Sequence, residues 1–219
     1  TLSANTTANN NVAVGYQALE ANTTGASNVA VGALALDANT TADGNTALGY
    51  AALGAATTGA VNVALGYQAL LVNTTGGTNI AIGGNALVAN TTASNNVAVG
   101  HSAMAANTTG TENISVGATA LDANTTGDAN TAVGYAALTT NATGSQNTAV
   151  GRSALQDTAG GGNTAMGYKA MEANSTGTGN VAVGWSALDA ATTATNNTGV
   201  GHAALGATTT GGSNTAVGY

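Results

Sequence analysis

Residues 11–19 read Asn-Val-Ala-Val-Gly-Tyr-Gln-Ala-Leu, and close copies of this stretch recur along the whole chain. Each copy is followed by a segment such as Asn-Thr-Thr-Gly and two variable residues. The copies begin at Asn11, Asn28, Asn45, Asn62, Asn79, Asn96, Asn113, Asn130, Asn147, Asn163, Asn180, Asn197 and Asn214. Every interval is 17 residues except the one from Asn147 to Asn163, which is 16. Residues 1–219 are therefore predicted to form a single array of twelve complete repeats and the start of a thirteenth.

The repeat has a fixed pattern of residue sizes, numbered here from position 0 at its initial asparagine. Positions 1 and 3 are aliphatic or β-branched, as in Val12 and Val14, and the residue between them is almost always alanine. This alternation has the period of a β-strand. Glycine at position 4 indicates a positive φ or a close backbone approach, and Asn-Thr-Thr-Gly is typical of a turn. A second short extended segment is expected at positions 6–9, with the leucine of position 8 pointing inward.

Seventeen residues are too few for a repeat built on helices, but they suit one coil of a β-solenoid. Coils of this kind stack at the strand spacing of about 4.8 Å. The predicted fold is therefore all-β, a parallel β-solenoid of about twelve 17-residue coils. The shortened repeat at Asn147 loses its residue in the turn-like part, where a loop tolerates a deletion.

The pattern also raises the question of which side of the strand is buried. We expect the aliphatic residues of positions 1 and 3 to form a thin core with the position 8 leucine, and the alanines to form an outer wall. A wall restricted to alanine is one that a partner approaches closely, and a homotrimer would give each thin coil a second buried surface. The reverse arrangement, with alanine inside and valine toward the partner, stays open at this stage.

Composition excludes several function classes. The net charge is −7, and Arg152 and Lys169 are the only basic residues, so no nucleic acid partner is expected. No apolar run approaches the roughly 18 residues of a membrane helix, so no direct membrane insertion is expected. The chain has no cysteine and therefore neither disulfides nor thiolate metal sites. Because it opens and closes inside a repeat, we expect it to be a piece of a longer array or a processed product.

Position 5 holds every aromatic residue of the chain, directly after the glycine. We call this line of residues the aromatic row. Tyrosine and tryptophan combine an apolar face with a polar tip, which suits contact with a glycan or another fibre. The alternative is that each ring merely packs at a corner against the next coil. The candidate recognition residues of this row are Tyr16, Tyr50, Tyr67, His101, Tyr135, Arg152, Tyr168, Trp185 and His202.

No catalytic site, cofactor site or metal site is expected. His101 and His202 are about six coils apart, so they cannot share an ion within one chain. Acidic residues favour position 9, where they are expected to keep the protein soluble rather than to perform acid–base chemistry or to bind calcium. The acidic residues of this position are Glu20, Asp37, Asp122, Glu172 and Asp189.

The turn segments contain Asn-x-Thr/Ser sequences, which are potential glycosylation sites in a secreted protein. The simpler interpretation is that asparagine and threonine serve the turn itself. An ice-binding surface is disfavoured because adjacent threonines of an extended chain point to opposite faces. The sequons begin at Asn5, Asn22, Asn39, Asn73, Asn90, Asn107, Asn124, Asn141 and Asn174.

The repeated unit Asn-Thr/Val-Ala-Val-Gly-Tyr-x-Ala-Leu resembles the head repeats of trimeric autotransporter adhesins. It is also similar to the Asn-Thr-Ala-Val-Gly-Tyr-x-Ala-Leu arrays of bacterial surface proteins and phage tail-fibre-like proteins. The resemblance covers Asn11 to Tyr219, although the coil of 17 residues is longer than in the adhesin heads. It implies a left-handed parallel β-roll, a homotrimer and a role in attachment.

We therefore expect a structural and adhesive fibre segment rather than an enzyme. The expected location is extracellular, on a cell surface or on a virion. The expected partners are further copies of the chain, as a homotrimer or a head-to-tail filament, and a surface glycan or receptor. The contrasting hypothesis is a glycan-binding or ice-binding β-solenoid module.

Overall fold

The computed structural model describes residues 1–219 as strands, turns and bends without a helix, divided into two compact units, Thr1–Thr111 and Glu112–Tyr219. The strands of the first unit are β1 (Val12–Val14), β2 (Val29–Val31), β3 (Thr46–Leu48), β4 (Val63–Leu65), β5 (Ile80–Ile82) and β6 (Val97–Val99). Those of the second unit are β7 (Ile114–Val116), β8 (Thr131–Val133), β9 (Thr148–Val150), β10 (Thr164–Met166), β11 (Val181–Val183), β12 (Thr198–Val200) and β13 (Thr215–Val217). The prediction of an all-β solenoid with one strand at the start of each repeat is confirmed.

Strands that are neighbours in sequence pair in parallel within each unit, and equivalent residues of successive repeats face each other. Val12 pairs with Val29, and Thr131 pairs with Thr148. The register survives the shortened repeat, where Thr148 still pairs with Thr164. The missing residue is therefore absorbed in the turn that joins these two strands, as its turn-like sequence predicted.

Positions 6–9 do not form the second extended segment that we expected. Three consecutive turns take its place, closed by hydrogen bonds from Ala18 N to Gly15 O (3.3 Å), Glu20 N to Gln17 O (3.3 Å) and Asn22 N to Leu19 O (3.4 Å). Gln17 and Leu19 have φ of 55° and 51°, as the third residue of a type II turn requires. This left-handed backbone costs of order 1–2 kcal/mol for a residue with a side chain. Backbone bonds between coils, such as Leu19 N to Ala35 O at 3.1 Å, help to offset that cost.

The expected assignment of the two strand faces was wrong, and the reverse arrangement holds. Apart from the terminal coils, alanine at position 2 is fully buried, together with the leucine or methionine of position 8, whereas the residues of positions 1 and 3 face outward. The space inside the coil explains this. A Cβ added at Gly199, which takes the alanine position in its repeat, would lie 3.0 Å from Ala204 O and 3.4 Å from Leu188 Cγ. A methyl group fills that gap and a valine would not fit.

Two buried rows of asparagine satisfy the backbone of the turns. At position 0, Asn28 Nδ2 donates to Ala42 O at 2.8 Å, and its Oδ1 accepts from the backbone N–H of Asn45 at 2.9 Å. At position 11, Asn39 Nδ2 donates to Asn22 Oδ1 in the preceding coil (2.8 Å) and to Ala42 O (3.2 Å). Buried polar groups normally find such partners because an unpaired one is costly. These asparagine ladders therefore stabilise both the individual turn and the stacking of coils.

Replacing Ala56 by asparagine is expected to stabilise the protein. Asn39 Oδ1 is buried without a partner because Ala56 occupies the equivalent place in the next coil. The new amide can donate to Asn39 Oδ1 and to Gly59 O, as the other ladder asparagines do. We expect the free energy of unfolding to rise by about 1–2 kcal/mol, measured by urea denaturation.

Ala191→Asn repeats this test in the second unit, where Asn174 Oδ1 also has no partner and Ala191 follows it one coil later. Ala55→Asn, on the outer side of the same turn as Ala56, is the matched control and should change stability little. Equal effects of Ala55→Asn and Ala56→Asn would show that completing the ladder contributes nothing.

Candidate functional site

The outward-facing residues of positions 1 and 3 form a largely apolar face on each unit, which we call the aliphatic face. Position 3 is aliphatic in every repeat, whereas position 1 is valine or isoleucine in seven repeats and threonine in six. Val12 and Leu48 are each 48% exposed in the first unit, and Ile114 (42%) and Met166 (45%) represent it in the second. No carboxylate lies on this face. The nine acidic residues fall at positions 9, 10, 15 and 16 instead, namely Glu20, Asp37, Asp43, Glu112, Asp122, Asp128, Asp157, Glu172 and Asp189.

The aromatic row follows the aliphatic face after a glycine corner. Gly49 and Gly66 have φ of 137° and 135°, which turns the chain so that the next side chain projects outward. In the first unit, Tyr50 and Tyr67 stack with ring centroids 5.5 Å apart and an interplanar angle of 15°. Both rings remain about half-exposed. The row therefore presents flat aromatic surface to its surroundings in addition to packing between coils.

In the second unit the aromatic row is unbroken from Tyr135 onward. The Arg152 guanidinium lies 5.7 Å from the Tyr135 ring centroid and 5.9 Å from that of Tyr168. Tyr168 and Trp185 meet edge to face at 5.8 Å and line an open cleft, and Trp185 contacts His202 at 5.2 Å. His202 in turn stacks on Tyr219 at 5.0 Å. One arginine thus lies between two tyrosines, beside an aromatic cleft.

Lys169, the second basic residue, lies beside this row. Its Nζ is 3.0 Å from Glu172 Oε2 and 5.8 Å from the Tyr168 ring centroid. The hydrogen bond to the Glu172 carboxylate raises the pKa of Lys169. Lys169 was not among the site residues predicted from the sequence. Its place could have been found from the repeat, because Lys169 directly follows Tyr168, which is the equivalent of Arg152 in the next coil.

The structure groups the candidate recognition residues unevenly. It brings together Tyr50 with Tyr67 in the first unit, and the run from Tyr135 to His202 in the second. Alanine or glycine interrupts the row elsewhere, at Ala33, Gly84 and Ala118. No group of three or more His, Asp or Glu side chains is placed to hold a metal ion.

All but one of the sequon asparagines of position 11 are inaccessible in the folded chain. Eight of the nine are fully buried, and only Asn5 is exposed. Asn90 shows the arrangement, since its Nδ2 donates to Asn73 Oδ1 at 2.9 Å and to Ala93 O at 3.0 Å. A glycan on such a nitrogen would disrupt both bonds and the packing around them. The asparagines of these sequons serve the fold, as the turn interpretation predicted.

The two threonines of each turn differ in their surroundings. The first is half-buried and donates its hydroxyl to the next coil, as Thr23 Oγ1 does to Thr40 O at 3.0 Å. The second, such as Thr24, is exposed. Each interior Asn-Thr-Thr turn therefore presents only its second threonine fully to solvent.

Burial changes the pKa of two of the position 9 carboxylates. Partial desolvation raises the pKa of Asp37 and of Asp122, with backbone hydrogen bonds acting in the opposite direction. The nearby Glu20 charge adds a smaller upward contribution at Asp37. None of these carboxylates lies in the aromatic cleft, which is lined by Tyr168 and Trp185.

Comparisons with protein-family models, curated proteins and solved structures found no match to this chain. The structure contains no helix long and apolar enough to span a membrane. Inferences about function therefore rest on the coil geometry, the aliphatic face and the aromatic row.

Proposed function

We propose that this chain is a rigid segment of an adhesive fibre, in which copies of the chain associate side by side through the aliphatic face. The observation that carries the proposal is the partial exposure of this face, with residues of interior coils such as Leu48 (48%) and Ile82 (38%) in contact with solvent. Monomeric soluble proteins rarely expose contiguous apolar patches larger than a few hundred Å². A partner that covers the face would remove this surface from water.

The distribution of charge supports association with a second copy of the chain. Carboxylates are absent from positions 0–8 and concentrated on other sides of the coil. Two copies can therefore bring their aliphatic faces together without burying like charges, while the acidic sides remain in solvent. The core of a homomeric interface has this composition, because charged residues are depleted there.

The resemblance of the repeat to adhesin heads and fibre arrays supports a left-handed coil and three-fold symmetry, and we propose a homotrimer on that basis. Because the alanines are buried, the outward-facing aliphatic side chains are the ones available to a partner chain. The aliphatic side chains, rather than the alanines, meet the partner chains. The fibre would be extracellular, on a cell surface or a virion, and its role would be mechanical rather than enzymatic, holding an attachment surface away from its base.

A double substitution on the aliphatic face, Ile82→Lys with Val116→Lys, tests the proposal. A buried ammonium without a carboxylate partner costs several kcal/mol, so we expect dissociation to rise at least about 100-fold. Native mass spectrometry should show three chains for the parent protein and one for the variant, with unchanged circular dichroism. Thr75→Lys places the same charge on an exposed turn residue and should leave the trimer intact.

Two results would count against the homotrimer. The parent chain could remain monomeric at every concentration, which would refute side-by-side association. Alternatively, species of steadily increasing mass, unaffected by Ile82→Lys with Val116→Lys, would indicate a filament formed by end-to-end stacking of coils. Dissociation by Thr75→Lys as well would show that added charge, and not the aliphatic face, is responsible.

A further inference from the structure

We propose that Tyr135, Arg152, Tyr168 and Trp185, which together with the neighbouring Lys169 we call the cationic cluster, bind a saccharide that carries a single carboxylate. The inference rests on the proposed attachment role and gives it a location and a class of ligand. It concerns one place in the second unit and not the whole aromatic row. The row elsewhere has rings but no arginine or lysine.

Positive charge in this chain is confined to the cationic cluster. Arg152 and Lys169 are its two basic residues, against nine acidic ones, and they lie on adjacent coils. Lys169 is neutralised by Glu172, at 3.0 Å, whereas no carboxylate lies within salt-bridge distance of Arg152. The cluster therefore offers one guanidinium that an external anion can pair with.

The rings on either side fix the position of that guanidinium. Its central carbon lies 5.7 Å and 5.9 Å from the ring centroids of Tyr135 and Tyr168, while the side chain remains exposed. Guanidinium groups bind carboxylates through two parallel hydrogen bonds, and a planar fork that is already oriented loses less entropy on binding. A carboxylate is the matching anion because it presents two coplanar oxygens.

The cleft beside the arginine suits a sugar ring. Tyr168 (39% exposed) and Trp185 (58%) meet edge to face, so their faces form two walls of a shallow depression. A pyranose has an apolar face of C–H groups and a rim of hydroxyls. It can therefore pack on the rings while its hydroxyls contact water and the Tyr168 hydroxyl. The cleft begins one coil beyond Arg152, about 4.8 Å along the stack, which is close to the width of one sugar residue.

The charge of Arg152 also places the cluster outside the proposed trimer interface. Burying a guanidinium between apolar faces without a carboxylate would cost several kcal/mol. The aliphatic face offers no acidic partner, because its positions carry none in any repeat. The cluster is therefore accessible in the assembled fibre. The net charge of −7 repels strongly anionic polymers, which favours a ligand with one carboxylate over a polyanion.

Ligand-observed NMR titration of the full chain tests the inference. The probes are sialyllactose, its carboxyl methyl ester and lactose, with methyl glucuronide as the second class of carboxylated sugar. We expect sialyllactose to bind with a Kd of about 1 mM, which is the range of a small site. The methyl ester and lactose should bind at least about tenfold more weakly, because they cannot pair with Arg152. If methyl glucuronide binds as tightly as sialyllactose, a carboxylate on a single sugar ring is sufficient for binding. If it binds more weakly, the additional sugar residues of sialyllactose contribute as well.

Three variants sharpen the experiment. Arg152→Gln should weaken sialyllactose binding at least about tenfold, and Trp185→Ala at least about fivefold. Tyr67→Ala removes a stacked tyrosine from the first unit, where there is no cation, and should leave binding unchanged. All three positions are exposed, so folding should be retained.

Equal affinity for sialyllactose and its methyl ester would overturn the inference, as would unchanged binding by Arg152→Gln. Absence of binding by both carboxylated sugars, or tighter binding of a short Glu-rich peptide, would also refute it. Native mass spectrometry of the same samples shows whether the chain is trimeric, so the ligand and the trimer can be judged independently. Loss of sugar binding in an intact trimer would refute only the ligand, and sugar binding by a monomeric parent chain would refute only the trimer.

Discussion

Replacing Gly83 by alanine is expected to lower the free energy of unfolding by about 3 kcal/mol or more. Gly83 has a φ of +132°, a conformation that residues with a side chain rarely adopt. A Cβ at this position would collide with the carbonyl oxygen of Gly100 and lie 2.6 Å from its carbonyl carbon. Relieving that contact requires the two coils to separate at the corner, where Gly100 N also donates to Ile82 O at 2.7 Å.

The neighbouring residue supplies a matched control. A Cβ at Gly84 would meet only His101 Cδ2, at 3.7 Å, and alanine already occupies this position at Ala33 and Ala118. Gly84→Ala should therefore change stability by less than about 0.5 kcal/mol. Urea denaturation followed by circular dichroism compares the two. Similar denaturation midpoints for both variants would show that the glycine corner does not require glycine.

Truncation of the inner leucine should have an effect of comparable size. Leu70 is fully buried, and Leu70→Ala is expected to destabilise the chain by about 2–5 kcal/mol through lost contacts and a residual cavity. Leu70→Met should cost less than about 1.5 kcal/mol, because methionine conserves the volume and already occupies this position at Met104 and Met171.

Leu71, the next residue, is the control for this experiment because it is only half-buried on the outer side of the turn. Leu71→Ala should lower stability by less than about 1 kcal/mol. The same urea denaturation series measures all three variants. If Leu71→Ala matched Leu70→Ala in its effect, the core would not be centred on the inner leucine row.

The strands and the glycine corner could be predicted from the sequence, but the burial of the strand faces could not. The alternation of Val12, Ala13 and Val14 shows that the side chains on the two faces of the strand differ in size. It does not show which face the rest of the coil covers. The answer depends on the width of the coil, which three consecutive tight turns reduce until only a methyl group fits opposite Leu19 and its equivalents.

The three consecutive turns could not be predicted from the sequence either. Gln17 and Leu19 adopt positive φ although neither residue type prefers it. Local preference therefore favoured an extended segment, and bonding between coils prevails over it. The aromatic row behaved differently. A strict repeat places its members on one line, so their alignment followed from spacing alone, whereas the position of Arg152 between two rings depends on side-chain conformations that spacing does not specify.

The asparagine ladders have a consequence for how such a chain can change length during evolution. The ladder bonds between asparagines join equivalent residues one repeat apart, as from Asn45 N to Asn28 Oδ1 and from Asn62 N to Asn45 Oδ1. The asparagine of an additional coil therefore supplies an Oδ1 acceptor for the next coil and a backbone N–H donor for the previous one. Duplication or loss of a 17-residue segment of the gene would leave the same contacts at the junction. The number of coils can thus vary in whole units without any compensating substitution.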